Sequence, residues 1–434
     1  FEARRQRQMC IRDSNKGDSK EPNYRSRLVG RELNLYKRDD LFAGTPPLES
    51  LRMLLSRCSS RKGHLVMAVD IKRAYFYAPA TRPIFIEIPV EDRKPGEEGL
   101  CGKLNLSLYG TRDAATNWVA AYTKVLTEKG FTVGKYSAQN FKHANRDLAV
   151  SVHGDDFTCT GPEHELQWLK GVFEKAFEVK CEILGPDPAK GHQQEVRVLN
   201  RVLTWNQWGL GYEADPRHAE IVIRELGLGE AKAVTTPGSK DDTANAHKLN
   251  GDSFDELDPE GRNKENLKKE RPSTPDDKEL KGADATRYRA LCARLNYLAQ
   301  DRPDIRYACK EASRWMARPR EGHWGLIKRI ARYLRGAPRL MQRFVWQDVV
   351  KSATTFVDSD WAGCKTTCRS TSGGVVTLGA HAIMSWSATQ AVVALSSGEA
   401  ELYALTKGAA TTLGVMSLGE DFGTVSYTHL RAHE

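Results

Sequence analysis

The sequence predicts an α+β fold in which short β-strands and amphipathic helices alternate along the chain. Apolar residues at helical spacing predict helices from Trp118 to Lys129 and from Glu163 to Phe177. Gly130 follows the first helix, where a left-handed C-cap is expected. Strand-like apolar runs occur at HLVMAVDI (64–71), PIFIEIPV (83–90), DLAVSVHG (147–154) and VRVLNRVLTW (196–205).

A polar segment divides the chain and predicts more than one domain. Between about Val234 and Gly282 there are almost no large apolar side chains, so we expect a polar linker over residues 233–284. A helical block from about Ala283 to Arg335 follows, and then two strand-like runs, ATTFVDSDWAG and GGVVTLGAHAIMSWS. A last helix is predicted from about Ser397 to Leu418. A chain of 434 residues is also longer than one ordinary domain.

The composition favours a polyanionic partner and argues against a membrane role. Lys and Arg number 65 against 56 Asp and Glu, a formal net charge of +9, although a merely basic protein would show the same balance. There is no run of about 18 apolar residues, so no membrane partner is expected. The nine cysteines lack zinc-site spacing and are expected to be reduced. The composition does not indicate an oligomeric state.

The two ends of the chain are predicted to be foreign to the fold. Met9–Asp13 can be encoded by DNA whose reverse complement encodes Val425–His429, which indicates an inverted repeat around the coding sequence. The repeat resembles the translated adapters of transposase-prepared sequencing libraries. We therefore expect residues from about 4 to 14 and from 425 to 434 to be artefacts, residues 1–20 to be unstructured, and the reading frame to be a fragment.

Two segments place carboxylates where a phosphate-transfer site could form. MAVDIKRAYF (67–76) ends an apolar strand with Asp70, and AVSVHGDDFTCTG (149–161) places Asp155 and Asp156 at a hairpin turn. Nucleotidyl transfer uses two divalent cations held by carboxylates on a rigid backbone. Either segment alone is also ordinary structural chemistry, because Gly-Asp-Asp is common in turns and Asp often caps a strand end.

The order of the motifs carries more information than each motif alone. YRSRLVGREL (24–33) precedes these segments, and LNLSLYGTRDAATNW (104–118) lies between them. In this order the sequence resembles the reverse transcriptase of copia-type LTR retrotransposons, with its D-V-K-x-A-F, S-L-Y-G-L-K-Q-A-x-x-x-W and Y-V-D-D motifs. The resemblance implies a right-hand-like polymerase domain with fingers and palm over residues 21–232, acting on deoxynucleotides (dNTPs) and an RNA or DNA template-primer.

The resemblance also implies roles for individual residues. Asp70 and Asp155 would be the principal metal ligands and Asp156 the third acid, with Mg²⁺ as the expected cation and Mn²⁺ as the alternative. Tyr75 matches the position that stacks under the incoming sugar and excludes a 2′-hydroxyl, although a core aromatic residue is the other interpretation. The remaining nucleotide-binding candidates are Arg25, Arg27, Ile71, Ser107, Tyr109 and Gly110; surface solvation is an equal alternative for the two arginines.

Two departures from the family pattern concern the contacts to primer and template. His153–Gly154 replaces Tyr-Val before the aspartates, and Thr111-Arg112-Asp113 replaces Leu-Lys-Gln. An added acid at Asp113 near a phosphate path would be unfavourable. Metal binding need not be affected by either change.

A second pair of acids lies towards the end of the chain. Asp358 stands in TTFVDSDWAGCKTTCRSTSGGVV (354–376) and Glu401 in SWSATQAVVALSSGEAELYALTKGA (385–409). Alone, they are more typical of a solvated strand end and an exposed helix face. These segments resemble the copia-type RNase H domain, which implies that both are catalytic metal ligands in a truncated RNase H-like α/β domain at 346–424. The family's third and fourth acids would follow Thr424, so we expect little RNase H activity.

The segment between these regions resembles the family's helical connection, over residues 285–345. Its basic side chains are interleaved with aromatic ones, which favours a helix that contacts a nucleic acid backbone while packing into a core. An amphipathic helix pair with a solvated basic face is the alternative. The candidate nucleic-acid-binding residues are Arg302, Lys328, Arg329 and Arg332.

The sequence therefore favours an RNA-directed DNA polymerase of a retrotransposon, working in the cytoplasm within a virus-like particle or in the nucleus. Two alternatives stay open. One is a degenerate, catalytically dead nucleic-acid-binding remnant, and the other is an unrelated structural protein whose acids are turn and cap residues.

Overall fold

The computed structural model describes residues 9–15, 24–32, 41, 43–88, 92–97, 99–239, 278–364, 367–424 and 427–432. The chain divides into two compact units. The first unit is Phe1–Gln193 with Leu418–Thr424, and the second is Gln194–Ser417 with Val425–Glu434. Most of the predicted linker, residues 240–277, lies outside the described residues. Among the described residues, every helix is too short or too polar to traverse a bilayer.

The first unit is built around an antiparallel sheet. Its helices are α1 (Leu48–Ser59), α2 (Ala114–Glu128) and α3 (Glu163–Ala176), with a 3₁₀ helix at Ala74–Tyr77. Its strands are β1 (Met9–Asn15), β2 (Tyr24–Gly30), β3 (His64–Ile71), β4 (Phe85–Glu87), β5 (Cys101–Lys103), β6 (Thr132–Val133), β7 (Asn140–His143), β8 (Leu148–His153), β9 (Asp156–Pro162) and β10 (Val179–Leu184).

The main sheet of the first unit has six strands in the order β10-β3-β9-β8-β7-β6. Strand β3 pairs with both β10 and β9 and is nearly continuously apolar, as expected for a strand with both faces covered. Helices α1 and α3 both pack against β3 and β9. The sheet therefore gives the end of β3 a rigid setting.

An aromatic cluster supports the loop between β8 and β9. Trp118 packs edge to face on Tyr122, Phe157 and Phe177, with ring centroids 5.4, 6.3 and 5.1 Å away. Such pairs contribute about 0.5–1.5 kcal/mol each beyond the burial of their surface. The indole Nε1 of Trp118 donates to the carbonyl oxygen of Gly154 at 2.8 Å. The cluster thus ties the core directly to the turn that carries Asp155.

The second unit contains two sheets and a helical core. Its helices are α4 (Arg217–Glu225), α5 (Gly282–Ala299), α6 (Pro303–Ser313), α7 (Trp324–Gly336) and α8 (Ser397–Phe422), the last of which ends within the first unit. Its strands are β11 (Glu195–Val198), β12 (Arg201–Asn206), β13 (Gly209–Ala214), β14 (Met341–Val345), β15 (Ser352–Ser359), β16 (Thr371–Leu378), β17 (His381–Thr389) and β18 (Tyr427–Ala432).

The helices α4 to α7 share one core, because their apolar stripes face each other. Leu291, Leu295, Ile305, Ile327 and Ile330 are fully buried in it. The two sheets have the strand orders β11-β12-β13-β14 and β17-β16-β15-β18. The pairing of β13 with β14 joins a strand that precedes these helices in sequence to a strand that follows them.

The compact units divide at Gln193, and the expected extent of the polymerase domain, to residue 232, stays a prediction. One strand differs from the sequence prediction. The run VRVLNRVLTW was expected to be one strand but forms a hairpin, β11 and β12. Leu199 and Asn200 at its turn have φ values of 49° and 60°. Two left-handed residues are the geometry of a tight hairpin turn, and Asn tolerates it well.

The ends of the chain are more ordered than expected. Residues 1–20 were predicted to be unstructured, but Met9–Asn15 forms β1 and pairs with β2. Tyr427–Ala432, in the predicted artefact, forms β18 and pairs in parallel with β15. The physical reason is that an unpaired strand edge offers a row of backbone donors and acceptors to any extended segment. The proposed origin of these segments in the DNA stays a prediction.

Candidate active site

Three carboxylates come together where β3 meets the β8–β9 hairpin. Gly154 and Asp155 form the turn, and Gly154 has a φ of 70°, a left-handed conformation that glycine adopts without strain. The strand register places Asp70 directly opposite Asp156. The backbone N–H of Ile71 donates to the carbonyl oxygen of Asp155 at 3.0 Å. The predicted convergence of these acids is therefore present in the structure.

The three acids influence one another electrostatically. Burial, and after it the negative charges of Asp155 and Asp70, raise the pKa of Asp156 to about 6. Asp70 and Asp155 are exposed, so the acidic cluster opens to solvent. In the described part of the chain, no three His, Cys, Asp or Glu side chains are already gathered as a finished ligand set. Like charges without a cation between them are expected to turn apart.

The predicted sugar gate lies beside this cluster. Tyr75 is half-buried, and its ring packs against Tyr109 with centroids 4.8 Å apart. Burial raises the pKa of Tyr75, and the charge of Asp155 adds to the effect, which places the two groups near each other. The guanidinium carbon of Arg27 lies 5.7 Å from the centre of the Tyr109 ring. Tyr75, Tyr109 and Arg27 thus form one wall next to the acids.

Three other predicted nucleotide contacts have structural partners in this geometry, and their roles stay predictions. The side chain of Ile71 is buried, and its N–H donates to the carbonyl oxygen of Asp155. Ser107 is also buried, and its hydroxyl accepts from Asn117 Nδ2 at 3.0 Å. A Cβ on Gly110 would overlap the carbonyl oxygen of Gly30, so this glycine permits the close approach of β2. The side chain of Arg25 lies outside the described residues.

The expected penalty from Asp113 is absent. Asp113 is buried, and both of its oxygens accept from Arg82 at 2.9 Å. Burial acts to raise the pKa of Asp113, but the hydrogen bonds and charge of Arg82 outweigh it and the pKa is lowered. Arg82 also binds Glu32 at 2.6 Å. Sequence reasoning missed Arg82 because a fixed arginine 31 positions away leaves no local signal.

Two cations next to Asp70 were also missed. Lys72 and Arg73 follow Ile71 and are exposed. Lys72 Nζ donates to Glu178 Oε1 at 2.9 Å, and Arg73 Nη2 donates to Glu178 Oε2 at 2.5 Å. They could have been found from their position, because two cations directly follow a metal-ligand candidate in the same motif.

The second pair of acids meets only in part. Asp358 is exposed near the end of β15, opposite Gly373. Glu401, on α8, accepts from the backbone N–H and the hydroxyl of Ser359, both at 3.1 Å, so it reaches the neighbour of Asp358. Its second oxygen is buried and makes no hydrogen bond. The strand that takes the next place in the sheet, β18, has the sequence YTHLRA and contains no acid.

The predicted nucleic-acid contacts divide into buried and exposed residues. Arg302 is buried, binds Asp304 at 2.7 Å and donates to the carbonyl oxygens of Ala337 and Pro338, so it has a structural role, and its contact with nucleic acid stays a prediction. Its guanidinium neutralises Asp304 and satisfies carbonyls just beyond α7.

The other three predicted contacts lie on α7. Arg329 donates to Thr236 Oγ1 at 2.9 Å, and Arg332 donates to the carbonyl oxygen of Lys232 at 2.7 Å. These two arginines therefore serve in part to hold residues 232–236 on the helix. Lys328 is exposed, and its role as a nucleic-acid contact stays a prediction.

Comparison with known proteins places this arrangement in a family. Residues 8–185, which include the three carboxylates of the first unit, match the family described as reverse transcriptase (RNA-dependent DNA polymerase). Over 406 residues the chain is 28% identical to the retrovirus-related Pol polyprotein from transposon TNT 1-94 of Nicotiana tabacum, covering 90% of this chain and 27% of that protein. Over most of its length the chain is thus similar to retrotransposon Pol polyproteins, and residues 8–185 match their reverse transcriptase part.

Two further comparisons agree with this assignment. The Pol polyprotein from transposon RE1 of Arabidopsis thaliana is 28% identical over 408 residues, covering 92% of this chain and 25% of that protein. The chain thus spans about a quarter of the length of these curated relatives. A foamy viral protease-reverse transcriptase solved in complex with double-stranded DNA superimposes with a TM-score of 0.51 at 10% identity, covering 98% of this chain and 58% of that one. The last match shows a polymerase-like α+β fold.

Proposed function

We propose that the chain is an RNA-directed DNA polymerase that extends a primer by two-metal nucleotidyl transfer. The observation that carries the proposal is the register that sets Asp70 opposite Asp156, with Asp155 at the adjoining turn. In this proposal the first unit supplies fingers and palm, and the second supplies the connection and an RNase H-like part. The family match over residues 8–185 supports the assignment of the first unit.

The donor set fits divalent cations. Carboxylate oxygens are the ligands that Mg²⁺ and Mn²⁺ prefer, and three of them in one cluster oppose each other's charge. Burial is the largest cause of the raised pKa of Asp156, and the charges of Asp155 and Asp70 add to it; a bound cation would relieve that charge repulsion. Asp70, Asp155 and Asp156 are therefore the residues that would hold the metal.

The chain's own groups would then orient the reactants. When bound, two divalent cations lower the pKa of a primer hydroxyl and neutralise the leaving pyrophosphate. Tyr75, fixed by its contact with Tyr109, would close the space beneath the sugar and exclude a 2′-hydroxyl. Arg27, whose guanidinium lies near the Tyr109 ring, would offer a cation to the nucleotide. No side chain acting as a general base is needed in this scheme.

We propose further that the RNase H-like part of this chain is inactive. Asp358 and Glu401 provide two acids, and the strand next to β15 contributes none. A metal cluster with half of its usual ligands binds cations weakly. Cleavage of the RNA strand of an RNA–DNA hybrid above background by this chain would contradict the proposal.

Primer extension tests the polymerase assignment. The full chain is expected to add deoxynucleotides to a DNA primer on an RNA template with Mg²⁺, and Asp155→Asn is expected to lower the rate about a thousandfold or more, since it removes a metal ligand. Asp92→Asn is the matched control, because Asp92 is exposed and lies outside the acidic cluster.

Two outcomes would reject the assignment. Equal extension by wild type and Asp155→Asn would remove the site. Salt-sensitive binding of template-primer without any extension would favour the degenerate, nucleic-acid-binding remnant.

A further inference from the structure

An exposed ion-pair network lies between the acidic cluster and the sugar gate. Lys72 and Arg73 occupy the short stretch between Asp70 and Tyr75, and both bind the carboxylate of Glu178, at 2.9 and 2.5 Å. All three side chains are well exposed, with relative accessibilities of 53%, 64% and 44%. Two cations and one acceptor therefore face solvent beside the metal-ligand candidates.

Glu178 is held in place by its backbone. Its N–H donates to the Tyr77 hydroxyl at 2.8 Å, and its carbonyl oxygen accepts from the Lys72 N–H at 2.9 Å. It directly precedes β10, which pairs with β3 along its whole length. The Glu178 carboxylate can change rotamer, but the backbone of Glu178 stays beside Lys72 and Arg73.

The backbone at Arg73 has an unusual conformation. Arg73 has a φ of 57° and a ψ of 40°, a left-handed conformation that costs a non-glycine residue about 1–2 kcal/mol. This conformation turns the chain sharply from β3 into the 3₁₀ helix that carries Tyr75 and Tyr77.

Phosphate is the ligand chemistry that suits this network. Arginine binds phosphate through a fork of donors, and lysine binds it as a point charge. Lys72 and Arg73 lie in the turn that directly follows β3, two and three positions after Asp70. Their side chains are therefore the cations nearest in sequence to a triphosphate whose metal would be held at Asp70. The Glu178 carboxylate would compete with that triphosphate for the same donors.

We propose that Lys72 and Arg73 bind the triphosphate of the incoming nucleotide and that Glu178, as an internal competitor for them, sets nucleotide affinity. The proposal rests on the proposed polymerase function. It predicts that the wild-type chain binds nucleotide more weakly than its cations alone would allow. Pyrophosphate, which offers the same oxygens, is bound weakly for the same reason.

Equilibrium binding of dTTP tests the proposal without requiring chemistry. The probe is dTTP with Mg²⁺ on a dideoxy-terminated primer–template that presents a templating adenine, bound to the full chain. Glu178→Gln keeps the side-chain shape but removes the charge, and its dissociation constant is expected to fall about threefold or more. Lys72→Ala and Arg73→Ala are expected to raise it. Glu182→Gln is the matched control, since Glu182 pairs with Lys180 on the same strand at 3.1 Å.

The outcomes separate this proposal from the polymerase assignment. Unchanged or weaker dTTP binding by Glu178→Gln, with only thermal stability altered, would show a purely structural ion pair and overturn the inference. Tighter binding by Glu178→Gln supports it, even if the wild type fails to extend a primer. Primer extension by the wild type with unchanged dTTP binding by Glu178→Gln would leave the polymerase assignment intact and remove the role of Glu178.

Discussion

Asp156 sits in an environment that opposes its own charge. It begins β9, is partly buried, and has Asp70 across the strand pair and Asp155 before it in the chain. Its pKa is raised from its ordinary value of 3.8 to about 6, with burial as the larger cause. Without a cation, the neighbouring negative charges disfavour the ionised form of Asp156, and a bound cation would remove this cost.

This pKa predicts a pH-dependent cost to stability. The folded chain holds the Asp156 proton more tightly than the unfolded chain, so the free energy of unfolding is expected to fall as pH rises from about 4 to about 6. Asp156→Asn removes this titration and should be more stable than wild type by about 1–2 kcal/mol at pH 7 without metal, a gain that vanishes near pH 4.

Urea unfolding of both variants across this pH range measures the difference. Titrating groups distant from Asp156 are common to both proteins and cancel. Asp92→Asn, at an exposed position, should show no pH-dependent difference from wild type. A constant difference between Asp156→Asn and wild type at every pH would contradict the raised pKa.

At the residue scale, the sequence indicates which side chains have the right chemical groups for a site. It indicates less well which of them are exposed and without structural partners. Asp70, Asp155 and Asp156 were predicted from spacing and motif, and the structure brings them together. Arg302 was predicted as a nucleic-acid contact, but it is buried and donates to the carbonyl oxygens of Ala337 and Pro338, just beyond α7. Burial and partners of a charged residue depend on segments far away in sequence, so a local pattern cannot show them.

At the scale of elements, the first unit is completed by residues from the end of the chain. Asp421 is buried, and its carboxylate accepts from the backbone N–H groups of Tyr136 and Ser137 at 3.1 and 2.9 Å. Asn140 Nδ2 donates to it at 3.3 Å. A Cβ on Gly134 would lie 2.6 Å from this carboxylate, so the loop needs glycine there. Phe422, beside it, is fully buried.

The role of Asp421 can be measured at the loop it holds. Asp421→Asn exchanges one acceptor oxygen for a donor, so at least one buried N–H loses its partner at a cost of about 1–3 kcal/mol. Hydrogen exchange of the amides of residues 134–140 is expected to speed up about tenfold or more. Glu420→Gln, at the exposed neighbouring position, should leave exchange unchanged. Equal protection in Asp421→Asn and wild type would show that the loop does not depend on this carboxylate.

Several elements could be predicted from local pattern alone. The run HLVMAVDI was expected to be a strand over 64–71, and β3 has these bounds, because continuous apolar character and β-branched residues both favour a buried strand. Helix α3 likewise begins at Glu163, as expected. The β11–β12 turn was not predicted, because its Leu199 adopts a left-handed conformation that no propensity favours.

At the scale of the whole molecule, the division of the chain into units escapes sequence reasoning. β13 pairs with β14, and Arg201 and Tyr212 both bind the buried Asp301, at 2.9 and 2.5 Å. These contacts draw residues 194–225 into the second unit across about a hundred positions. The polar linker predicted over residues 233–284 lies later in the chain than the division between the units. A polar composition shows where apolar residues are few, but it does not show which strands pair.

Asp70, Asp155 and Asp156 are proposed to hold divalent cations together. Counting bound Mn²⁺ by electron paramagnetic resonance tests this metal site. With a dideoxy-terminated primer–template and the matching nucleotide, wild type is expected to bind Mn²⁺ at this site, and Asp155→Asn should raise the dissociation constant about tenfold or more. Asp92→Asn should bind as wild type does. Identical Mn²⁺ stoichiometry and affinity in wild type and Asp155→Asn would contradict the account.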